Sequence, residues 1–202
     1  MTKIKLCGLF RPYDIEAANQ LKPDYIGFVF SRKSHRYVSP ETAFTLRKLL
    51  APDITAVGVF VDERADNVAS LLNSGVIDMA QLHGNEDEEY IGNLKKLTDK
   101  PLIKAFKIRN ANDAIRSNES NADYILLDSG AGSGTTFDWT LQKHVKRQYF
   151  LAGGLDSDNV GEVIRNYKPF AVDVSSSIET QRFKDINKMA AFAAAVRKEE
   201  LK

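Results

Sequence analysis

Hydrophobic and polar positions along the chain repeat one unit. A short run rich in branched and aromatic residues leads into a polar or glycine-bearing loop, and a helical pattern follows. Eight such runs occur: KIKLC (3–7), YIGFVF (25–30), AVGVFV (56–61), IDMAQL (77–82), PLIKAF (101–106), YILLD (124–128), YFLAG (149–153) and AVDVS (171–175). Each has the length of a strand buried on both faces of a parallel sheet. Among the helical patterns, one starts near Pro12. Another follows Ser39-Pro40-Glu41, with Ser39 as N-cap and Pro40 at the first helical position. Others begin near Arg64, Glu86 and Asn110, a short one lies near Phe137, one follows Asp156–Asp158, and an alanine-rich one follows Asp185. Alternation without a strand-only or helix-only block predicts a single α/β domain over 1–202, a (β/α)8 TIM barrel. The alternative, a doubly wound open sheet, would carry a glycine fingerprint after the first strand, and CGLFRP is not one.

Composition narrows the class of protein. The 202 residues suit one domain with a substantial core. Lys and Arg number 28 against 27 Asp and Glu, so no basic field points to nucleic acid and no acidic tail to a charged partner. Cys7 is the only cysteine, which excludes an internal disulfide and fits a reducing compartment. The opening MTKIKLCGLF is too short and too broken by lysine for a signal peptide, and no run is long enough to span a membrane. The expectation is a cytoplasmic protein. No Cys/His cluster or HExxH spacing is present, so no metal site is expected.

In barrels of this kind the chemistry sits at the C-terminal ends of the strands. Special residues collect there: Cys7 after strand one, Ser31–Arg36 after two, Gln81, His83 and Gly84 after four, Asp128 after six, Gly153-Gly154 after seven and Ser175–Ser177 after eight. Strand alternation puts Lys3, Lys5 and Cys7 on one face and Ile4 and Leu6 on the other. If the aliphatic pair packs on helices, Lys5 and Cys7 point into the barrel. Asp173 lies on the neighbouring strand eight, and a lone inward charge is costly, so a Lys5–Asp173 pair is predicted beneath the site.

Strands one and six nearly face each other across the mouth. Cys7 and Asp128 could therefore serve as base and acid on opposite sides of a small substrate. A free thiol has a pKa of about 8.5, and Lys5 is a candidate to lower it. Read singly, Cys7 is more often a small buried hydrophobe and Asp128 a loop or cap residue; their joint position shifts the balance towards chemistry. Gly153-Gly154 permits close backbone approach, and Ser176 and Ser177 offer N–H and hydroxyl groups, on the two loops where barrels commonly bind phosphate. Tight turns are the alternative reading. One of Arg32, Lys33, His35 and Arg36 could bind a substrate carboxylate, an arginine bidentately, or the stretch could be a solvated basic loop. Gln81 and His83 are candidate substrate contacts, a satisfied core position being the alternative for His83, while His35 and His144 read as surface residues. The stretch GAGSGTTFDW (130–139) could be a lid or second phosphate contact, with Phe137 and Trp139 packing.

These motifs carry a resemblance. KLCG (5–8), YIGFVF with SRKSHRYVSP (25–40), VGVFV (57–61), QLHGNE (81–86), LLDS with GSGTTFDW (126–139), LAGGL with NV (151–160) and VDVSSSIE with KD (172–185) occur in the order and near the spacing of the phosphoribosylanthranilate isomerase family. The chain resembles that family along nearly its whole length. The resemblance implies a cofactor-free Amadori rearrangement of a phosphorylated sugar–anthranilate substrate in tryptophan biosynthesis. It implies Cys7 as general base, Asp128 as general acid, Arg36 on the anthranilate carboxylate, and Gly153, Gly154, Ser176 and Ser177 on phosphate. Asp128 would then need its proton near neutrality, held by a hydrophobic floor of Leu126 and Leu127.

The chain departs from the family pattern at three places. Leu9-Phe10 stands where a small or basic residue is usual, Ser177 where glycine is usual, and Gln181-Arg182-Phe183 where Pro-Gly precedes the KD pair. Ser177 loses glycine's access to φ > 0, which would weaken phosphate binding if the loop needs it. Rival readings are another metal-free sugar-phosphate isomerase and a non-catalytic barrel that binds a phosphorylated ligand. A bifunctional form needs a second phosphate grip, and VFVDERAD (59–66) after strand three has no glycine pair. The sequence is compatible with a monomer or a homodimer.

Overall fold

Side-chain alternation along short parallel strands builds two concentric cores in this protein. The computed structural model describes residues 1–128 and 139–200. The strands are β1 (Lys3–Cys7), β2 (Tyr25–Val29), β3 (Thr55–Phe60), β4 (Met79–Leu82), β5 (Leu102–Lys107), β6 (Tyr124–Asp128), β7 (Tyr149–Ala152) and β8 (Ala171–Val174). They close in chain order into a barrel, and β8 pairs back on β1 with Lys5 beside Asp173. The predicted (β/α)8 barrel is the observed fold. Inward residues Tyr25, Val57, Met79, Ile103, Leu126 and Phe150 fill the barrel. Outward residues such as Ile4, Leu6, Ile26, Phe28, Ile125 and Leu127 pack under the helices. At the N-terminal mouth the Lys3 ammonium lies over the rings of Tyr25 and Phe170, 5.5 and 5.3 Å from their centroids, and closes the end opposite the site.

The helices are α1 (Pro12–Leu21), α2 (Pro40–Leu49), α3 (Ala65–Asn73), α4 (Glu88–Lys95), α5 (Ala111–Ser117), α6 (Val160–Tyr167) and α7 (Ile186–Glu200), with a 3-10 helix, Trp139–His144, between β6 and β7. Proline at the first helical position starts α1 and α2. Ser39, Asp87 and Asn110 cap α2, α4 and α5 by accepting backbone N–H groups of Thr42, Tyr90 and Asp113. Among the described residues no helix is long and apolar enough to cross a membrane.

Two local features differ from expectation. Glu86 does not open α4; it is buried, pairs with Lys104 at 2.8 Å and accepts N–H bonds from Asp62 and Gly84. A buried carboxylate with three donors outcompetes a place in an exposed first turn. The second is a small hairpin after β8, β9 (Glu179–Thr180) and β10 (Phe183–Lys184), which pairs Lys184 with Glu179. Its turn residues Gln181 and Arg182 have φ of 50° and 68°. Those values belong to the I′-type turn that suits strand twist, a conformation L-residues adopt at a cost.

Candidate active site

A cavity of about 490 Å³ opens at the C-terminal ends of the strands. Cys7, Arg36, Gln81, His83, Asp128, Gly153, Gly154, Ser176 and Ser177 all line it, and Asp173 reaches its floor. The sequence-predicted positions are therefore brought together by barrel closure.

Cys7 ends β1, buried at 8% exposure. Its register partner on β2 is Gly27, where an added Cβ would lie 2.6 Å from the Cys7 Sγ. Gly27 makes the space the thiol occupies. One residue-pair below, Lys5 is fully buried and its Nζ lies 3.0 Å from Asp173 Oδ1, the predicted ion pair. Burial works against the Lys5 ammonium, but Asp173 and Cys7 beside it more than offset this and hold it charged. The expectation that Lys5 draws the Cys7 thiol below its usual value is not met. Burial pushes Cys7 up, Lys5 and Lys184 only partly pull it back, and Asp173 adds to the rise. Burial is the larger effect, and the lysine's pull, the next in size, does not overcome it.

Asp128 ends β6 opposite. His83 Nε2 lies 3.3 Å from its Oδ2, and His83 Nδ1 is 2.9 Å from Gln81 Nε2. With Gln81 donating to Nδ1, the imidazole proton sits on Nε2 and faces the carboxylate. Gln81 is 1% exposed, and among the described residues its Oε1 has no hydrogen-bond partner. Beneath Asp128, Leu126 belongs to the inner core. Leu127 does not contribute to that floor, because alternation turns it outward under the helices.

Arg36 crosses Gly8, whose φ is 77° and where a Cβ would overlap the Arg36 Cδ. It is not a solvated loop residue. Its Nε and Nη2 donate to the two Glu179 oxygens at 2.5 and 2.9 Å. Lys184, fully buried at its side chain, donates to Glu179 Oε1 at 2.7 Å and to the Ser175 carbonyl at 2.8 Å. The Ser175 hydroxyl in turn donates to the Cys7 carbonyl. His35 is exposed at the surface, as expected, with its Nε2 3.5 Å from Glu179.

Gly153 and Gly154 have φ of 87° and 66°, so the loop after β7 requires glycine at both. Ser177 is not among the residues with positive φ. It lies in a 3-10 turn, Ser176–Ile178, with its hydroxyl donating to the Leu155 carbonyl. The substitution of serine for glycine there demands no left-handed backbone. The stretch 130–137, its Phe137 helix and the packing expected of Phe137 and Trp139 lie outside what the described residues and side chains cover.

Sequence reasoning missed Gly27, Glu179 and Lys184 as working parts. A glycine inside an otherwise aliphatic strand was the available signal for Gly27. Glu179 and Lys184 stood within the motifs VDVSSSIE and KD, but nothing in the pattern joined them to Arg36.

Known proteins match the chain along its length. The model of the family N-(5'phosphoribosyl)anthranilate (PRA) isomerase matches residues 4–195. An N-(5'-phosphoribosyl)anthranilate isomerase of Endomicrobium trichonymphae is 44% identical over 194 residues, 94% of this chain and 95% of that protein. The crystal structure of phosphoribosyl anthranilate isomerase from Thermotoga maritima superposes with a TM-score of 0.87 at 34% identity, covering 98% of this chain and all of that one. A phosphoribosyl anthranilate isomerase in complex with reduced 1-(o-carboxyphenylamino)-1-deoxyribulose 5-phosphate superposes with a TM-score of 0.85 at 33% identity, with the same coverage.

Proposed function

The chain belongs to the phosphoribosylanthranilate isomerase family, and on that premise we propose that Cys7 and Asp128 are the base and acid of its reaction. The enzyme isomerises N-(5'-phosphoribosyl)anthranilate to 1-(2-carboxyphenylamino)-1-deoxyribulose 5-phosphate in tryptophan biosynthesis. The observation that carries the residue assignment is a single cavity lined together by Cys7, Asp128, Arg36 and the Gly153-Gly154 loop.

Asp128 gives its proton to the ribose ring oxygen. The ring opens as the anthranilate nitrogen lone pair forms a protonated Schiff base at C1. Cys7 then takes the C2 proton, and the electron pair released forms the C1–C2 double bond of an enolamine. Tautomerisation to the C2 ketone completes the isomerisation. Both proton transfers are served by side chains, each within the range of about 10² to 10⁴ in rate that a positioned acid or base contributes. The positive charge of the Schiff base forms where the buried Cys7 faces the substrate, and it favours the thiolate that burial opposes.

In this reading Arg36 holds the anthranilate carboxylate with the guanidinium edge that Glu179 leaves open. Gly153, Gly154, Ser176 and Ser177 hold the phosphate. Gln81 Oε1 accepts a substrate hydroxyl, and His83 steadies the Asp128 carboxyl through its Oδ2. Lys5 and Asp173 support the floor. The enzyme is expected to work in the cytoplasm.

Fresh N-(5'-phosphoribosyl)anthranilate tests the reading through loss of its fluorescence on conversion. Wild-type protein is expected to turn it over rapidly, and Cys7→Ala and Asp128→Asn to lose at least about 10²-fold in kcat. Full activity in either variant would remove that residue from the mechanism.

A further inference from the structure

We propose that Glu179 is a positioning residue for substrate recognition, acting through Arg36; this rests on the reading of Arg36 as the carboxylate-binding residue. Glu179 does not line the cavity. Its side chain is 8% exposed, and both oxygens are engaged. Oε1 accepts from Arg36 Nε at 2.5 Å and Lys184 Nζ at 2.7 Å, while Oε2 accepts from Arg36 Nη2 at 2.9 Å. Burial alone would raise this carboxyl, but Arg36 and Lys184 more than offset it and keep Glu179 ionised.

A guanidinium has two edges that can each meet a carboxylate bidentately. Glu179 takes the Nε–Nη2 edge and so leaves the Nη1–Nη2 edge to the cavity that Arg36 lines. Without this partner the long arginine side chain would sample many rotamers, and binding would have to order it. The stem is also fixed from the other side, because it passes over Gly8 where no Cβ stands. Glu179 thus pre-orders the fork before substrate arrives.

The hairpin that presents Glu179 is held by aromatic and cationic contacts from the loop after β1. Two departures from the family pattern meet there. Phe10, after β1, and Phe183, on β10, bring their rings to 6.0 Å. The Arg11 guanidinium lies over Phe183 at 4.8 Å and donates to the Lys184 carbonyl at 2.8 Å. An aromatic–cation stack pins a turn built from Gln181 and Arg182 instead of Pro-Gly. The same hairpin places Lys184, so Glu179 links Arg36 to the Lys184–Ser175–Cys7 line of bonds.

The test compares the affinity of two probes for wild type and Glu179→Gln by calorimetry. One is reduced 1-(o-carboxyphenylamino)-1-deoxyribulose 5-phosphate, and the other is its counterpart lacking the carboxylate. Wild type is expected to prefer the carboxylate probe by about tenfold or more, as one charge-assisted bond implies. Glu179→Gln is expected to narrow that preference at least about threefold while binding the carboxylate-free probe nearly as wild type does. An unchanged ratio in a folded Glu179→Gln protein would reduce Glu179 to a structural role and overturn the proposal. Absence of any preference in wild type would instead overturn the role of Arg36 on which it rests. Should Glu179→Gln not yield folded protein, Glu179→Asp, whose charge is withdrawn by one methylene, is read by the same ratio: a narrowed preference supports the proposal, and an unchanged one overturns it.

Discussion

Replacing Gly27 by alanine moves the Cys7 thiol without touching its chemistry. A Cβ built there would lie 2.6 Å from Cys7 Sγ and 3.1 Å from the Cys7 Cα. Non-bonded carbon contacts settle at about 3.5–4.0 Å, so the sulfur must retreat by about 1 Å, and the β1 backbone must yield a few tenths. A reacting group misplaced by about 1 Å loses on the order of 10²-fold in rate. The strand ladder itself tolerates alanine, and overpacking of this kind costs about 1–3 kcal/mol of stability. The expected result is kcat reduced about a hundredfold, KM within a few-fold of wild type, and a urea midpoint lowered in step with that cost. In a Cys7→Ala background, where Sγ is gone, the stability cost of Gly27→Ala should shrink by a measurable coupling term. Wild-type kcat in folded Gly27→Ala, or full additivity of the two stability changes, would refute the argument that Gly27 makes room for the thiol.

Other expectations follow from the same geometry. Because burial holds the free enzyme's Cys7 above the ordinary thiol value, alkylation of Cys7 by iodoacetamide should quicken roughly tenfold per pH unit between about pH 6 and 8, as thiolate forms; an alkylation rate that levels off within that range would refute the upward shift. Lys184→Met removes one of the two cations that pull Cys7 down, so the same rise should shift to higher pH. Lys5→Met leaves Asp173 buried without its partner and should cost about 3–5 kcal/mol by urea unfolding, whereas Lys5→Met with Asp173→Leu should recover most of it; equal losses would show the pair is not coupled. Gly153→Ala forces a side chain into φ of 87°, at roughly 1–2 kcal/mol, and should raise KM for the phosphorylated substrate far more than it lowers kcat.

Much of this molecule is legible in its sequence because the signals are local. Alternation within KIKLC (3–7) already turns Lys5 and Cys7 to one side, and the barrel's closure then makes the Lys5–Asp173 pair nearly obligatory, since neither charge can stand alone inside. Ser39-Pro40 and Asn110 announce helix starts through hydrogen bonds spanning three residues. The strand ends that carry Cys7, Asp128 and Gly153 follow from the same period. Leu127, expected in the floor beneath Asp128, obeys that period too: it is one residue from Asp128 and so faces the other way.

Tertiary structure decided what depends on many neighbours at once. The direction of the Cys7 shift is a sum over burial, two lysines and a carboxylate drawn from three parts of the chain, and no single spacing contains that sum. The bond between Arg36 and Glu179 joins residues 143 positions apart. The meeting of Phe10 with Phe183 turns two separate oddities of sequence into one contact. Periodicity reports which face a residue presents; only the closed barrel and its loops determine which group waits opposite, and the electrostatics of the site are set by those encounters.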